Sequence, residues 1–155
     1  MTLWDGITLQ TKIAANAQAM KRWLSKAETT LGNHSDRLNA INIFPVADGD
    51  TGTNLYLTVR AAAQALHCLD TAAIPQVTAD SSVHSFGPPD PAQNDVGAVL
   101  ARAGLAAMEK ARGNSGTLFA VFLCAAAEPL AGHPRLSAPL LAAALNRAQL
   151  RAWSA

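Results

Sequence analysis

The sequence predicts an all-α protein, and three observations carry that prediction. Ile13, Ala17, Met20, Leu24, Ala27 and Leu31 step by 4, 3, 4, 3 and 4 positions, which lines one face of a helix with 3.6 residues per turn. No stretch alternates apolar and polar residues convincingly with period two, as a half-buried strand would. Half of the residues are hydrophobic, only 15% are charged, and alanine is abundant. That composition suits tightly packed helices rather than a disordered chain.

The elements come in order along the chain. The apolar stripe from Ile13 to Leu31 predicts a long first helix, with Asp5 as N-cap and Gly32-Asn33 as its stop. Residues 33–47 read as a connection carrying a short apolar piece, Leu38 to Phe44. Pro45 disfavours helix at Phe44 and predicts an extended approach to the acidic segment beyond it. A second helix starts near Thr51 to Asn54, with Leu55, Val59, Ala62 and Leu66 on one face. Residues 70–94 hold four prolines and little periodicity, and read as a long loop. Asp95 caps a third helix that turns Val96, Val99, Leu100, Ala103 and Ala107 inward. A fourth runs from about Ser115 to Ala127. It is apolar all round, so the centre of the fold is expected. A loop over 132–139 leads to a fifth, Leu140 to Trp153.

At 155 residues the chain reads as one domain spanning 1–155. A chain of that size buries roughly 70% of its unfolded surface. The net charge is +1 and no run of Lys and Arg appears. A nucleic-acid backbone, which needs a clustered basic face, is therefore not an expected partner. Cys68 and Cys124 are isolated and form neither a CxxC motif nor a disulfide framework. Two reduced, semi-buried thiols and a cytoplasmic location are expected. The N-terminus lacks the charged start and apolar core of a signal peptide. The most apolar run, Thr117 to Ala127, is too short to span a bilayer. Trp4, Trp23 and Trp153 are read as packing residues, and none of the four histidines is assigned a catalytic role.

Two loops carry chemistry. In ADGDTGTN, Asp48 and Asp50 flank Gly49, whose freedom lets both carboxylates turn toward one hard cation. Thr51, Gly52, Thr53 and Asn54 come next where a helix begins, and a helix N-terminus presents unpaired N–H groups suited to phosphate. Carboxylates alone repel phosphate, so the pairing makes chemical sense with a metal between them. Magnesium binds in this way, through one or two carboxylates plus phosphate oxygens. The second loop, Arg112-Gly113-Asn114-Ser115-Gly116, again places glycines and donors before a buried helix. Facing one another, two such helix starts would form a phosphate-binding cleft. On spacing alone a capped turn explains DGDTGTN as well as a metal site does, and GNSG also fits a simple helix junction. Rival motifs are absent. An EF-hand beginning at Asp48 would need Gly and Glu where Thr53 and Val59 stand. There is no P-loop and no kinase-type HRD with DFG.

Taken together, LNAINIFPVADGDTGTNLYLTVRAAAQAL and ARGNSGTLFAVFL resemble the two signature segments of the dihydroxyacetone kinase L-type family, the DAK2 domain. The Asn-x-Phe-Pro-Val-x-Asp-Gly-Asp-Thr-Gly-Thr-Asn form is similar to the branch containing the nucleotide-binding subunit of bacterial fatty acid kinase. The sugar-kinase branch usually has His where Thr51 stands. The resemblance runs from about Asp5 to the chain end.

It implies an antiparallel helical barrel binding ATP or ADP with two Mg²⁺ ions at one end. Carried over, Asp48 and Asp50 are metal ligands. Asn42, standing where the sugar-kinase branch has a third ligating Asp, is a weaker third. Thr51, Gly52, Thr53 and Asn54 would contact the phosphates, and Asn114, Ser115 and Gly116 would close over them. The implied activity is Mg-dependent phosphoryl transfer to a small acceptor, a fatty acid or a dihydroxyacetone-like ketone, presented by a partner protein. The alternatives are a non-catalytic nucleotide-binding or regulatory module, and a phosphocarrier-dependent dihydroxyacetone kinase L subunit. Family domains run to about 200 residues, a common domain size, and continue through a Pro-x-x-Gly-Thr segment into further helices. A chain ending at Ala155 is therefore expected to leave the barrel incomplete, with apolar edges that invite a homodimer.

Overall fold

The computed structural model describes residues 15–42, 49–72 and 94–155. Among them are five α-helices: α1 (Ala17–Ala40), α2 (Thr51–Ala72), α3 (Val96–Lys110), α4 (Gly113–Ala127) and α5 (Ala138–Trp153). A short 3-10 helix, Glu128–Leu130, follows α4. The described residues contain no strand, only an isolated bridge between Asn16 and Arg135. The fold is all-α, as the sequence predicts.

Helix α1 departs from its expected bounds at both ends. Its N-cap is Asn16, whose side chain accepts the Ala19 amide at 2.9 Å. It passes straight through Gly32-Asn33 and ends at Ala40. A glycine inside a helix costs about 1 kcal/mol against alanine. Here the Tyr56 ring of α2 lies against Gly32, where a Cβ would come within 3.1 Å of it. Tertiary packing thus overrides the local stop signal, and Leu38 belongs to the helix rather than to a connection. Asp5, Trp4, Pro45 and most of the 70–94 loop lie outside the described residues.

Helix α3 matches its prediction. Both Gly97 and Ala98 amides donate to Asp95 Oδ1, at 2.8 and 3.1 Å, and Val96, Val99, Leu100, Ala103 and Ala107 are buried. The other Asp95 oxygen accepts the Gly132 amide at 2.7 Å, tying α3 to the loop before α5. Burial raises the Asp95 carboxyl, but the amides of Gly132, Ala98 and Gly97, with His133 nearby, outweigh it and hold the group below its ordinary value. Helix α5 starts two residues earlier than expected, on the Ser137 cap.

The core joins Leu24 of α1, Ala62, Ala63 and Leu66 of α2, Val96 and Val99 of α3, Leu123 of α4 and Ala144 and Ala148 of α5. Each fully buried Leu or Val stabilises by about 1.5–3 kcal/mol. The alanines let helices approach closely. Where Gly104 of α3 meets Cys124 of α4, even a methyl group would not fit. Helices α3 and α4, joined only by Ala111 and Arg112, form an antiparallel hairpin. Helix α4 is central in that it packs on α2, α3 and α5. It is not enclosed, however: Leu118 is 43% exposed.

No Cα of α1 comes within 8 Å of a Cα of α5 among the described residues. An apolar groove of about 460 Å³ separates them, lined by Met20, Trp23, Phe122, Leu141 and Leu145 among others. The bundle is therefore open along this seam. Two packing assignments fail with it: Trp23 is 49% exposed and Trp153 is 91% exposed. Cys68 is likewise exposed, whereas Cys124 is half-buried and its thiol is pushed up by burial and by Glu128. Among the described residues no helix is long and apolar enough to cross a membrane.

Candidate functional site

The candidate site lies where the start of α2 meets the start of α4. Helix α2 begins immediately after the second aspartate of the DGD segment. Gly49 takes a positive φ of 64°, the left-handed turn that lets the chain bend into the helix. Asp50 is exposed, and its carbonyl accepts the Asn54 amide at 2.8 Å, closing the first helical turn.

The cap of α2 comes from a distant residue. Asn39, near the end of α1, accepts the Gly52 and Thr53 amides on Oδ1 at 2.8 and 3.1 Å. Its Nδ2 donates to Thr53 Oγ1 at 2.9 Å. Two of the amides that the sequence offers to phosphate are thus held by a side chain of the protein. Gly52 is also buried against α1, where a side chain would collide with the Ser35 carbonyl and with Leu38. Its smallness lets α1 and α2 pack, and what α2 leaves to a ligand is mainly side chains.

Helix α4 arrives from the other side. Ser115 Oγ donates to the Thr51 carbonyl at 3.2 Å, across 64 positions of sequence. Gly113 has a φ of 59° and lies on the Asn54 side chain, where a Cβ would meet Nδ2 at 2.5 Å. Gly116 is buried against Thr58, whose hydroxyl donates to the Asn54 carbonyl at 2.8 Å. Two glycines on α4 therefore receive two polar side chains of α2. Asn54 and Thr58 are the only buried polar residues among those described.

The structure thus brings Thr51, Gly52, Thr53 and Asn54 together with Ser115 and Gly116. Asn114 is exposed beside them. Asn42 is half-buried just past α1, and its amide donates to the Asn39 carbonyl at 3.2 Å. Asp48 lies outside the described residues. No cluster of three or more His, Cys, Asp or Glu occurs among the described residues.

Sequence reasoning missed Asn39, Thr58 and the packing role of Gly113. Thr58 carried a signal: it is a polar residue four positions after Asn54, next to Val59 on the inward face of α2. Asn39 carried none, because its partners are 13 and 14 positions away and on another helix.

Sequence relatives bear on this geometry. The DAK2 domain family model matches residues 83–155. The matched residues include α3, α4, α5 and the Arg112–Gly116 loop, so the α4 half of the site lies within the match. Over 142 residues, 92% of the chain, the sequence is 27% identical to Protein YloV of Bacillus subtilis and covers 20% of that protein. A stretch of 36 residues, 23% of the chain, is 47% identical to an uncharacterized protein of Staphylococcus saprophyticus and covers 6% of it. The chain spans a fifth or less of the length of these curated relatives.

Proposed function

We propose that this chain is the nucleotide-binding part of a Mg²⁺-dependent kinase. In this reading ATP or ADP sits at the α2–α4 contact, and phosphate passes to a small acceptor, a fatty acid or a dihydroxyacetone-like ketone, presented by a partner protein. The observation that carries the proposal is the Ser115–Thr51 hydrogen bond, flanked by Gly113 on Asn54 and Gly116 on Thr58. It supports reading the two loops as one site, and the DAK2 match over α4 favours a nucleotide there.

The donor set suits magnesium. The Asp50 side chain stands exposed at the positive end of α2, with no hydrogen bond or ion pair among the described residues. A lone carboxylate oxygen in that place is a hard ligand for Mg²⁺. Asp48, two residues earlier, is the second proposed ligand and Asn42 a weaker third. Two Mg²⁺ ions, when bound, would neutralise phosphate charge and draw electrons from the bond that breaks.

The chain's own residues do the positioning. The Thr51 and Thr53 side chains offer hydroxyl oxygens at the helix start, and Asn54 is held rigid by its packing on Gly113. Asn114 and Ser115 approach from α4. Little covalent work is required of the protein in phosphoryl transfer, so the lack of an assigned general base is consistent with the reading. Thr51, in place of the His usual in the sugar-kinase branch, weighs against a phosphocarrier-dependent L subunit.

The test is titration with ADP, with Mg²⁺ present and then with EDTA. Saturable binding that needs Mg²⁺ supports the site, and absence of binding in both sinks it. Once binding is established, phosphoryl transfer with candidate acceptor-presenting proteins separates a kinase from a non-catalytic module, which would bind without turnover.

A further inference from the structure

Along the far half of α2, that helix and the early turns of α1 enclose a second groove, of about 430 Å³. Its walls carry Lys21, Arg22, Ser25, Lys26 and Thr29 from α1 and His67 from α2, and none of its lining residues is acidic. Three of the chain's 12 Lys and Arg residues thus converge in one groove of a protein whose net charge is only +1.

Arg22 and Lys26 are uncompensated within their own helix. Arg22 and Lys26 stand four positions apart, so like charges meet on one face, an arrangement that destabilises a helix. No acidic residue lies three or four positions from either. Neither has an ion-pair partner among the described residues, whereas Arg60 meets Glu28 and Arg147 meets Glu128. The Ser25 hydroxyl between them also lacks a hydrogen-bond partner among the described residues.

We propose that this groove binds a small polyvalent anion of the phosphate class, with Arg22 and Lys26 supplying charge-assisted hydrogen bonds and Ser25 a neutral one. Bringing an anion between the two cations replaces their repulsion with two attractions. The site is separate from the nucleotide reading. His67 lies sixteen residues along α2 from Thr51, about 24 Å at 1.5 Å per residue.

The experiment is an NMR titration of the chain with pyrophosphate in Mg²⁺-free buffer of low ionic strength. Shifts at Ser25, Thr29 and His67 are followed separately from those at Gly52 and Gly116. Saturable shifts in the first set are expected. The exposed double substitution Arg22→Ala with Lys26→Ala, checked for unchanged helix content, should weaken binding by about tenfold or more, the worth of one charge-assisted hydrogen bond. Shifts confined to Gly52 and Gly116, no saturation, the same shifts from chloride at matched ionic strength, or an unchanged affinity in the double variant would each overturn the proposal.

Discussion

Removing Asn39 tests how the site is held. Its side chain makes three hydrogen bonds to the first turn of α2, at 2.8, 3.1 and 2.9 Å. It does the work of an N-cap from outside the helix. Loss of a cap costs about 0.5–2 kcal/mol, and a hydrogen bond contributes about 0.5–1.5 kcal/mol net. Asn39 and Thr53 are partly open to water, which replaces some of the lost bonding. Asn39→Ala should therefore cost about 2 kcal/mol. For a chain of this length that is a fall in melting temperature of roughly 4–8 °C. Asn39→Asp keeps the acceptor for Gly52 and Thr53, adds a negative charge at the positive helix end, and loses only the bond to Thr53 Oγ1. It should recover most of the loss at neutral pH. Thermal unfolding by circular dichroism reads both. A shift under 1 °C for Asn39→Ala, or an aspartate variant no better than alanine, would refute the capping argument.

Other outcomes rest on the same geometry. Gly116→Ala places a methyl group against the Thr58 hydroxyl at the α2–α4 contact, so chemical denaturation should show a loss of about 1–3 kcal/mol from overpacking. Leu123→Ala removes a fully buried side chain from the centre of the core and should cost about 2–5 kcal/mol in the same assay. Asp95 has a folded value below its ordinary 3.8, so the stability it contributes is present above pH 3.8 and is lost as pH falls through the lowered folded value. Unfolding measured across that acid range should fall more steeply for the native chain than for Asp95→Asn. Trp153→Ser should change stability by less than about 0.5 kcal/mol, because the ring is 91% exposed.

The helices that sequence predicted best are those whose signals are local. The Asp95 cap and the inward face of α3 depend on residues a few positions apart, and they stand as read. Gly32 shows the limit. Its stop signal is local, but Tyr56 from another helix fills the space beside it and the helix continues. The exposure of Trp23 and Trp153 was equally invisible, because hydrophobicity says that a ring favours burial, not that a neighbour exists to bury it. At the site, the two glycine loops were legible as partners through their shared composition. Their juxtaposition rests on long-range contacts between Ser115 and Thr51 and between Gly113 and Asn54. The cap from Asn39 was hidden for the same reason, and it changes the chemistry expected of α2. Two backbone amides that looked open to phosphate are engaged, so in the proposed reading more of the ligand contact falls to the Thr51 side chain and to the exposed Asp50.

Asp50 is where that account is most exposed. It directly precedes Thr51 of the α2–α4 contact, it is exposed, and no side chain neutralises it among the described residues. Calorimetric titration of Mg-ADP into the native chain and into Asp50→Ala is the direct measurement. The account predicts saturable binding to the native chain and a loss of at least about tenfold in affinity for the variant, the size of one charged contact. Equal affinity in the two proteins, with both folded, would contradict it.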